Sequence, residues 1–225
     1  MRDAETHAPR TYRQLRFSRP PGATEILLVR HGESAHADAA RPFPLVAGRG
    51  DPELSPDGRA QAERLAERLA GAGVEAVYVT PLRRTLETAA PLLRRLSLTP
   101  LVEEDLIEVH MGEWEGGLYR QKITERDPLA LRIFAEERWD VIPGAETNAS
   151  LFARVVAAIS RIARRHPDGR VVAVAHAVSI AAVLAHATRS SPFAFVGAEN
   201  ASISGLVVAG DRWTLRRFND TAHLD

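Results

Sequence analysis

Three stretches of this sequence hold residue types that can move a phosphoryl group: Arg30 with His31, Thr80 to Arg84, and His176. Two arginines can take the charge that spreads over the equatorial oxygens of a phosphoryl group in transfer, and a neutral imidazole can attack phosphorus. Nearby guanidinium charge disfavours imidazolium, so a histidine beside arginines stays available as a nucleophile. A carboxyl group would complete the set by protonating the leaving oxygen and later activating water. Glu103, Glu104, Asp105 and Glu108 share one short acidic stretch, and residue type leaves the choice among them open; Glu108, where a polar loop begins, is the candidate. A single histidine after a strand is commonly structural and a single arginine commonly lies on the surface, so shared placement has to carry the argument.

The elements that would place these residues follow from periodicity. Glu25 to Arg30 is a short apolar run suited to a buried parallel strand, closed by a turn at Gly32. Pro42 to Pro56 is rich in Gly, Pro and Asp and reads as a long loop. Ser55 and Pro56 then have the chemistry of a cap and first helical position, for a helix to about Ala70. Val74 to Val79 predicts a second strand, and Thr80-Pro81 another cap-and-proline start for a helix over Leu82 to Leu96. Arg84 would lie in that helix's first turn, where free amides favour an anion, while Arg83 points elsewhere.

Further along, Pro100 to Glu108 predicts a short strand, Met111 to Tyr119 a glycine- and aromatic-bearing loop, and 128–137 a helix. Asn148 to Arg165 has amphipathic helical spacing, and Val171 to Ala175 is the most strand-like segment, delivering His176 at its end. A helix is expected near Ile180 to Ala187, then two strands, Ser202 to Val208 and Trp213 to Phe218, joined by a turn. Strand and helix alternate, so the expected class is α/β, a three-layer α/β/α sandwich around a mostly parallel central sheet. All three chemical stretches then fall at or just past C-terminal strand ends, where such sheets bind ligands.

Composition narrows the chemistry. A chain of 225 residues, 45% of them hydrophobic, supports one sizeable domain, expected over 24–225 behind a polar arm at 1–23. Lys+Arg and Asp+Glu both number 29, so no global field draws the chain to nucleic acid or to an anionic membrane. The absence of cysteine excludes disulfides, thiolate metal sites and cysteine nucleophiles. The N-terminal stretch lacks a signal-peptide core and no run is long enough to span a bilayer, giving the expectation of a cytoplasmic protein. His31, His36 and Asp38 lie close in sequence, and His110 follows Glu108 by two residues, but neither spacing is an established ligand pattern; no metal or cofactor is expected. Glycine-rich nucleotide loops and a Gly-x-Ser-x-Gly turn are absent. Oligomeric state is not legible from sequence.

Leu28-Val-Arg-His-Gly-Glu-Ser34 resembles the signature of the histidine phosphatase superfamily, which includes cofactor-dependent phosphoglycerate mutases and many broad phosphatases. Gly50 to Ala62 resembles the segment that follows it, Thr80-Pro-Leu-Arg-Arg-Thr-Leu-Glu-Thr-Ala89 the second-arginine helix, and Leu106 to Gly116 the acid loop. Val172-Ala-Val-Ala-His176 is similar to the strand presenting the second histidine, and Asn200 to Leu224 to the C-terminal strands. The resemblance implies a phosphoglycerate mutase-like fold in which His31 becomes a phosphohistidine. It further implies that Arg30, Arg84 and His176 hold the phosphoryl group and that Glu108 is the general acid and base.

Three departures stand out. Many members carry an asparagine soon after the first motif, whereas none occurs here before Asn148; Ser34 or His36 is the expected substitute. Ala177 stands where a glycine often follows the second histidine. The loop from Glu33 to Gly48 is long, and its Arg41-Pro-Phe-Pro-Leu stretch is a candidate cover for the site.

The expected activity is hydrolysis of small phosphomonoesters, because Glu108 to Gly144 is short beside the substrate-enclosing insertion that resemblance to true mutases would imply. A phosphoglycerate-type mutase is the alternative, with Arg132 or Arg138 available for a substrate carboxylate. A weakly catalytic phospho-ligand-binding module is a third reading, opposed by the intact His31, Glu108 and His176.

Overall fold

A computed structural model describes residues 11–225; the first ten positions of the expected polar arm lie outside the described residues. The rest of the arm, up to Pro20, has no regular structure. Arg19 anchors it by donating to the carbonyls of Asp168 and Gly169.

The first strand, β1 (Thr24–Arg30), leads into a long segment holding a two-stranded hairpin, β2 (Leu45–Val46) with β3 (Arg49–Gly50). The uninterrupted loop expected over Pro42 to Pro56 is thereby corrected. Ala47 and Gly48 both take positive φ at the hairpin's tip, a signal the polar composition did not reveal. Helix α1 (Pro56–Leu69) follows, with Ser55 capping Gly58 N and proline in its first turn as expected.

After β4 (Ala76–Val79), helix α2 spans Arg83–Leu96. It starts one residue after the expected Leu82, with Leu82 and not Thr80 in the cap position. The Thr80 hydroxyl accepts from Leu82 N at 3.4 Å and lies 3.1 Å from Thr85 Oγ and 3.0 Å from His176 Nε2. The expected strand over Pro100 to Glu108 shrinks to β5 (Leu101–Val102) and a 3₁₀ turn at Glu104–Leu106. The carbonyls of Glu103 and Glu104 are taken by the turn itself and those of Asp105, Ile107 and Glu108 by an arginine side chain described below, so they are not free for a ladder.

Helices α3 (Leu118–Thr124), α4 (Pro128–Glu136) and α5 (Asn148–Arg165) come next, then β6 (Arg170–Ala175). Helix α6 (Ala177–Thr188) begins directly after His176, three residues earlier than its expected start near Ile180. The chain ends in β7 (Ile203–Ala209) and β8 (Arg212–Asp220). No described helix is long and apolar enough to cross a membrane.

The main sheet has the order β5-β4-β6-β1-β7-β8. Strands β5, β4, β6 and β1 pair parallel, and β7 runs antiparallel between β1 and β8. Alternate residues of the inner strands feed opposite cores. Ile26, Leu28, Val171 and Ala173 pack with residues of α5 and α6, while Leu27, Val29, Val172 and Val174 pack with α1 and α2. That two-sided burial explains why β1 and β6 are apolar without alternation, and it makes the fold the expected three-layer sandwich.

The turn after β1 fits against α1 with no room to spare. A Cβ on Gly32 would lie 2.6 Å from Gly58 O, and one on Gly58 would lie 1.9 Å from Glu33 O. Gly32 N donates to Thr88 Oγ at 2.9 Å, and Ser55 N donates to Glu33 O at 2.9 Å. Gly58→Ala would gain about 1 kcal/mol in helix propensity, but forcing backbone apart in a packed region costs about 1–3 kcal/mol. The clash, with backbone on both sides, outweighs the gain. Urea unfolding of the variant is expected to show lower stability than the wild type; equal or higher stability would contradict this close approach.

Candidate active site

Parallel pairing puts Arg30 opposite Ala175, so β1 and β6 end together and each is followed by a histidine. His31 N donates to Ala175 O at 3.0 Å, and the Asn200 side-chain amide donates to His31 O at 2.9 Å. The two rings meet edge to face, with centroids 5.3 Å apart.

The His31 side chain has a fixed tautomer. Its Nδ1 lies 2.7 Å from Gly32 O, and a carbonyl can only accept, so Nδ1 carries the ring proton and Nε2 keeps its lone pair. Burial, then the charges of Arg84 and Arg30, hold the His31 pKa well below the usual imidazole value, with the Gly32 carbonyl acting in the opposite sense. His176, at 0% exposure, is depressed likewise by burial and then by Arg84. Its Nε2 faces the Thr80 hydroxyl, and its buried Nδ1 has no hydrogen-bond partner.

Arg30 donates from Nη1 to Ala198 O at 2.5 Å, leaving a buried Nε without a partner. Arg84, only 7% exposed, donates to Gly50 O at 2.9 Å. Burial lowers its pKa to about 10, opposed by the charges of Glu108 and Asp51, and it remains a cation at neutral pH. Arg83 is turned away, paired with Glu53 and Glu87.

Of the four acids in the stretch from Glu103 to Glu108, Glu108 is the one that reaches this place. Its carboxylate accepts from Val109 N at 2.9 Å, Ser179 N at 3.2 Å and Val178 N at 3.3 Å, the last two at the start of α6. Glu103 and Asp105 pair instead with Arg161. Behind Glu108, Arg154 of α5 donates to the carbonyls of Asp105, Ile107 and Glu108 at 2.8, 2.6 and 3.1 Å while pairing with Glu146. This clamp is what replaces the expected strand.

A recess of about 330 Å³ is lined by Arg30, His31, Arg84 and Glu108, joined by Arg49, Tyr119 and Arg120. His176 is not among the lining residues and meets the recess through its ring contact with His31. Burial, with the charge of Glu108, pushes the Tyr119 phenol up to about 12, so it remains a hydrogen-bond donor. Phe43 and Ala177 also line the recess, which places part of the Arg41-Pro-Phe-Pro-Leu stretch over the site. Ser34 is buried with its hydroxyl accepting from Arg120 at 2.7 Å, whereas His36 pairs with Glu33 at the surface. Arg132 and Arg138 pair with Glu136 and Asp140, outside the lining, which corrects their suggested role in holding a carboxylate.

Sequence reasoning missed Arg49, Tyr119, Arg120, Thr80 as a partner of His176, and Asn200 as a support for His31. Only Thr80 had a local signal, and it was read as a cap. The others depend on long-range approach that no spacing encodes.

Comparison with known proteins places this geometry. Residues 26–221 match the model described as the histidine phosphatase superfamily (branch 1). The chain is 32% identical over 203 residues to phosphoserine phosphatase 1 of Hydrogenobacter thermophilus, covering 89% of this chain and 94% of that one. It is 35% identical over 206 residues to phosphoglycerate mutase-like protein 4 of Arabidopsis thaliana, covering 89% and 87%. Among solved structures, a mycobacterial glucosyl-3-phosphoglycerate phosphatase superposes with a TM-score of 0.71 at 29% identity, covering 88% of this chain and 100% of that one.

The depressed histidine pKa values carry a sign. The unfolded chain has ordinary imidazoles, so below about pH 6.5 it binds protons that the folded chain does not. Stability is therefore full above that pH and falls as pH drops towards the folded-state values, in a window above most carboxylate titration. Urea unfolding at about pH 7.5 and about pH 5.5 is expected to show the loss, reduced in a His31→Gln variant. No dependence in the wild type would contradict two neutral, buried imidazoles.

Proposed function

Because the chain belongs to the histidine phosphatase superfamily, branch 1, we propose that it is a metal-independent phosphatase hydrolysing phosphomonoesters of small molecules through a phosphohistidine on His31. The observation that carries this reading is the His31 ring itself. Its proton is committed to Gly32 O, its lone pair is free, and the guanidiniums of Arg30 and Arg84 are among those that line the recess with it.

In the first step His31 Nε2 attacks phosphorus and a P–N bond forms as the P–O bond to the alcohol breaks. Arg30, with its unpartnered Nε, and Arg84 take the charge of the equatorial oxygens. His176 packs edge to face on His31, and its Nδ1, which lacks a protein partner, is the atom left for the phosphoryl group that His31 carries. Protonated Glu108 gives its proton to the departing oxygen. In the second step Glu108 takes a proton from water, whose oxygen attacks phosphorus and releases inorganic phosphate and a free His31.

Hydrolysis is favoured over phosphoryl return because phosphoserine phosphatase 1 and the glucosyl-3-phosphoglycerate phosphatase, each similar along nearly all of this chain, are phosphatases. Residues 24–225 are taken as the catalytic domain and 1–23 as its polar arm. The substrate is a small phosphorylated molecule; charged esters do not cross bilayers, which supports a cytoplasmic enzyme.

Purified protein is expected to hydrolyse p-nitrophenyl phosphate in the presence of EDTA, and His31→Ala to lose at least about a thousandfold in kcat. Activity abolished by chelation, or kept in the variant, would overturn the proposal. Glu108→Gln separates the acid from the nucleophile. It should lose about 100-fold or more on an alkyl phosphate, whose leaving group needs a proton, and much less on p-nitrophenyl phosphate. Equal losses on both esters would remove Glu108 from the role of acid.

A further inference from the structure

Beside the catalytic recess lies a larger groove of about 660 Å³ between the loop following the nucleophile and helix α3. The recess and the groove share Glu115, Gly117 and Arg120 on their walls. Of these, Glu115 is already committed, its carboxylate accepting from Gly50 N at 2.9 Å and Met111 N at 2.8 Å. Arg120 is different. Its Nη1 donates to Ala35 O at 2.8 Å and its Nη2 to Ser34 Oγ at 2.7 Å, both neutral acceptors, and its guanidinium stands 5.5 Å from the centre of the Phe43 ring. Among the described residues no carboxylate forms an ion pair with it, whereas Arg49, the other cation added to this recess, is paired with Glu146.

A phosphomonoester dianion would occupy Arg30 and Arg84. Arg120 would then remain a cation with no carboxylate in direct contact, influenced by Glu33 only from a distance, and with its own charge bearing on both Arg30 and His31. Its two bonds to Ser34 and Ala35 tie it to the chain just after the nucleophile. That fixes its position relative to the phosphoryl group, and its remaining donors stay free for an anion.

Building on the phosphatase reading, we propose that Arg120 is a specificity-determining residue that binds a second anionic group on the leaving alcohol. The preferred substrates are then phosphomonoesters of alcohols that carry a carboxylate near the ester, with the remainder of the alcohol lying in the adjoining groove. The resemblance that assigned Arg30 and Arg84 assigns no role to this position, and it arises here from α3 approaching the loop at 33–42.

The test compares two esters that differ in one group: 3-phosphoglycerate, which carries a carboxylate, and glycerol 3-phosphate, which carries a hydroxymethyl group in its place. kcat/KM is measured for both with the wild type, Arg120→Met and Arg120→Lys, and folding is checked by urea unfolding. The wild type is expected to favour the carboxylate ester by about 10- to 100-fold, chiefly through KM, the range of a charge-assisted contact. Arg120→Met should reduce that ratio to about threefold or less, and Arg120→Lys should keep an intermediate ratio. The ratio cancels any loss common to both esters, including one from releasing the Ser34 loop. A wild type that treats the two esters alike, or an Arg120→Met protein that keeps the wild-type ratio, would overturn the assignment. Hydrolysis of p-nitrophenyl phosphate by the wild type keeps this failure separate from failure of the phosphatase reading.

Discussion

The structure turns on the parallel register of β1 and β6, which sets Val29 beside Val174 and Arg30 beside Ala175. Because the strands end level, His31 and His176 emerge side by side from neighbouring strands, and His31 N closes the pairing on Ala175 O. A shift of one residue would turn every side chain of β1 to the opposite core, so the register is enforced by burial on both faces. The remaining parts are brought to this edge by elements leaving the same sheet. Arg84 arrives in the first turn of α2 after β4, and α6 starts at the second histidine to present the amides that hold Glu108.

Arg84 is nearly buried, has a carbonyl for its direct partner, and has its pKa drawn down to about 10. Burying a cation without a close counter-ion is unfavourable, and a bound phosphate dianion relieves that cost for Arg84 and Arg30 together. Burial, and after it the same charges, keeps both imidazoles neutral. In the proposed mechanism the arginines therefore act twice, by holding the anion and by keeping the lone pair of His31 free. The support of Glu108 is of another kind. Arg154 fixes its backbone through three neighbouring carbonyls, so the acid depends on a helix from the far side of the sequence.

Sequence was most informative where local physics is decisive. The unbroken apolar runs at β1 and β6, the Ser55-Pro56 helix start, and the order of motifs around His31, Arg84, Glu108 and His176 were all legible before any coordinates. It was least informative where a residue's best partner is distant. Thr80 has the chemistry of a cap, yet a histidine 96 positions away and Thr85 claim its hydroxyl, and α2 begins at Arg83. Pro100 to Glu108 has strand-like composition, but Arg154 and Arg161 take its polar groups. Arg120 carries no signal in its own sequence neighbourhood, because Ser34 and Phe43 are brought near it by the fold alone.

The central claim, covalent transfer to His31, is tested most directly by trapping the intermediate. Protein mixed with a rapidly hydrolysed aryl phosphate is quenched within milliseconds at alkaline pH, where phosphohistidine survives, then digested and mapped by mass spectrometry. The account predicts one phosphoryl group on the peptide containing His31, located on Nε2 and lost on acidification. Phosphate on another side chain, or steady turnover with no phosphoenzyme detected while burst amplitude is zero and configuration at phosphorus is inverted, would contradict it.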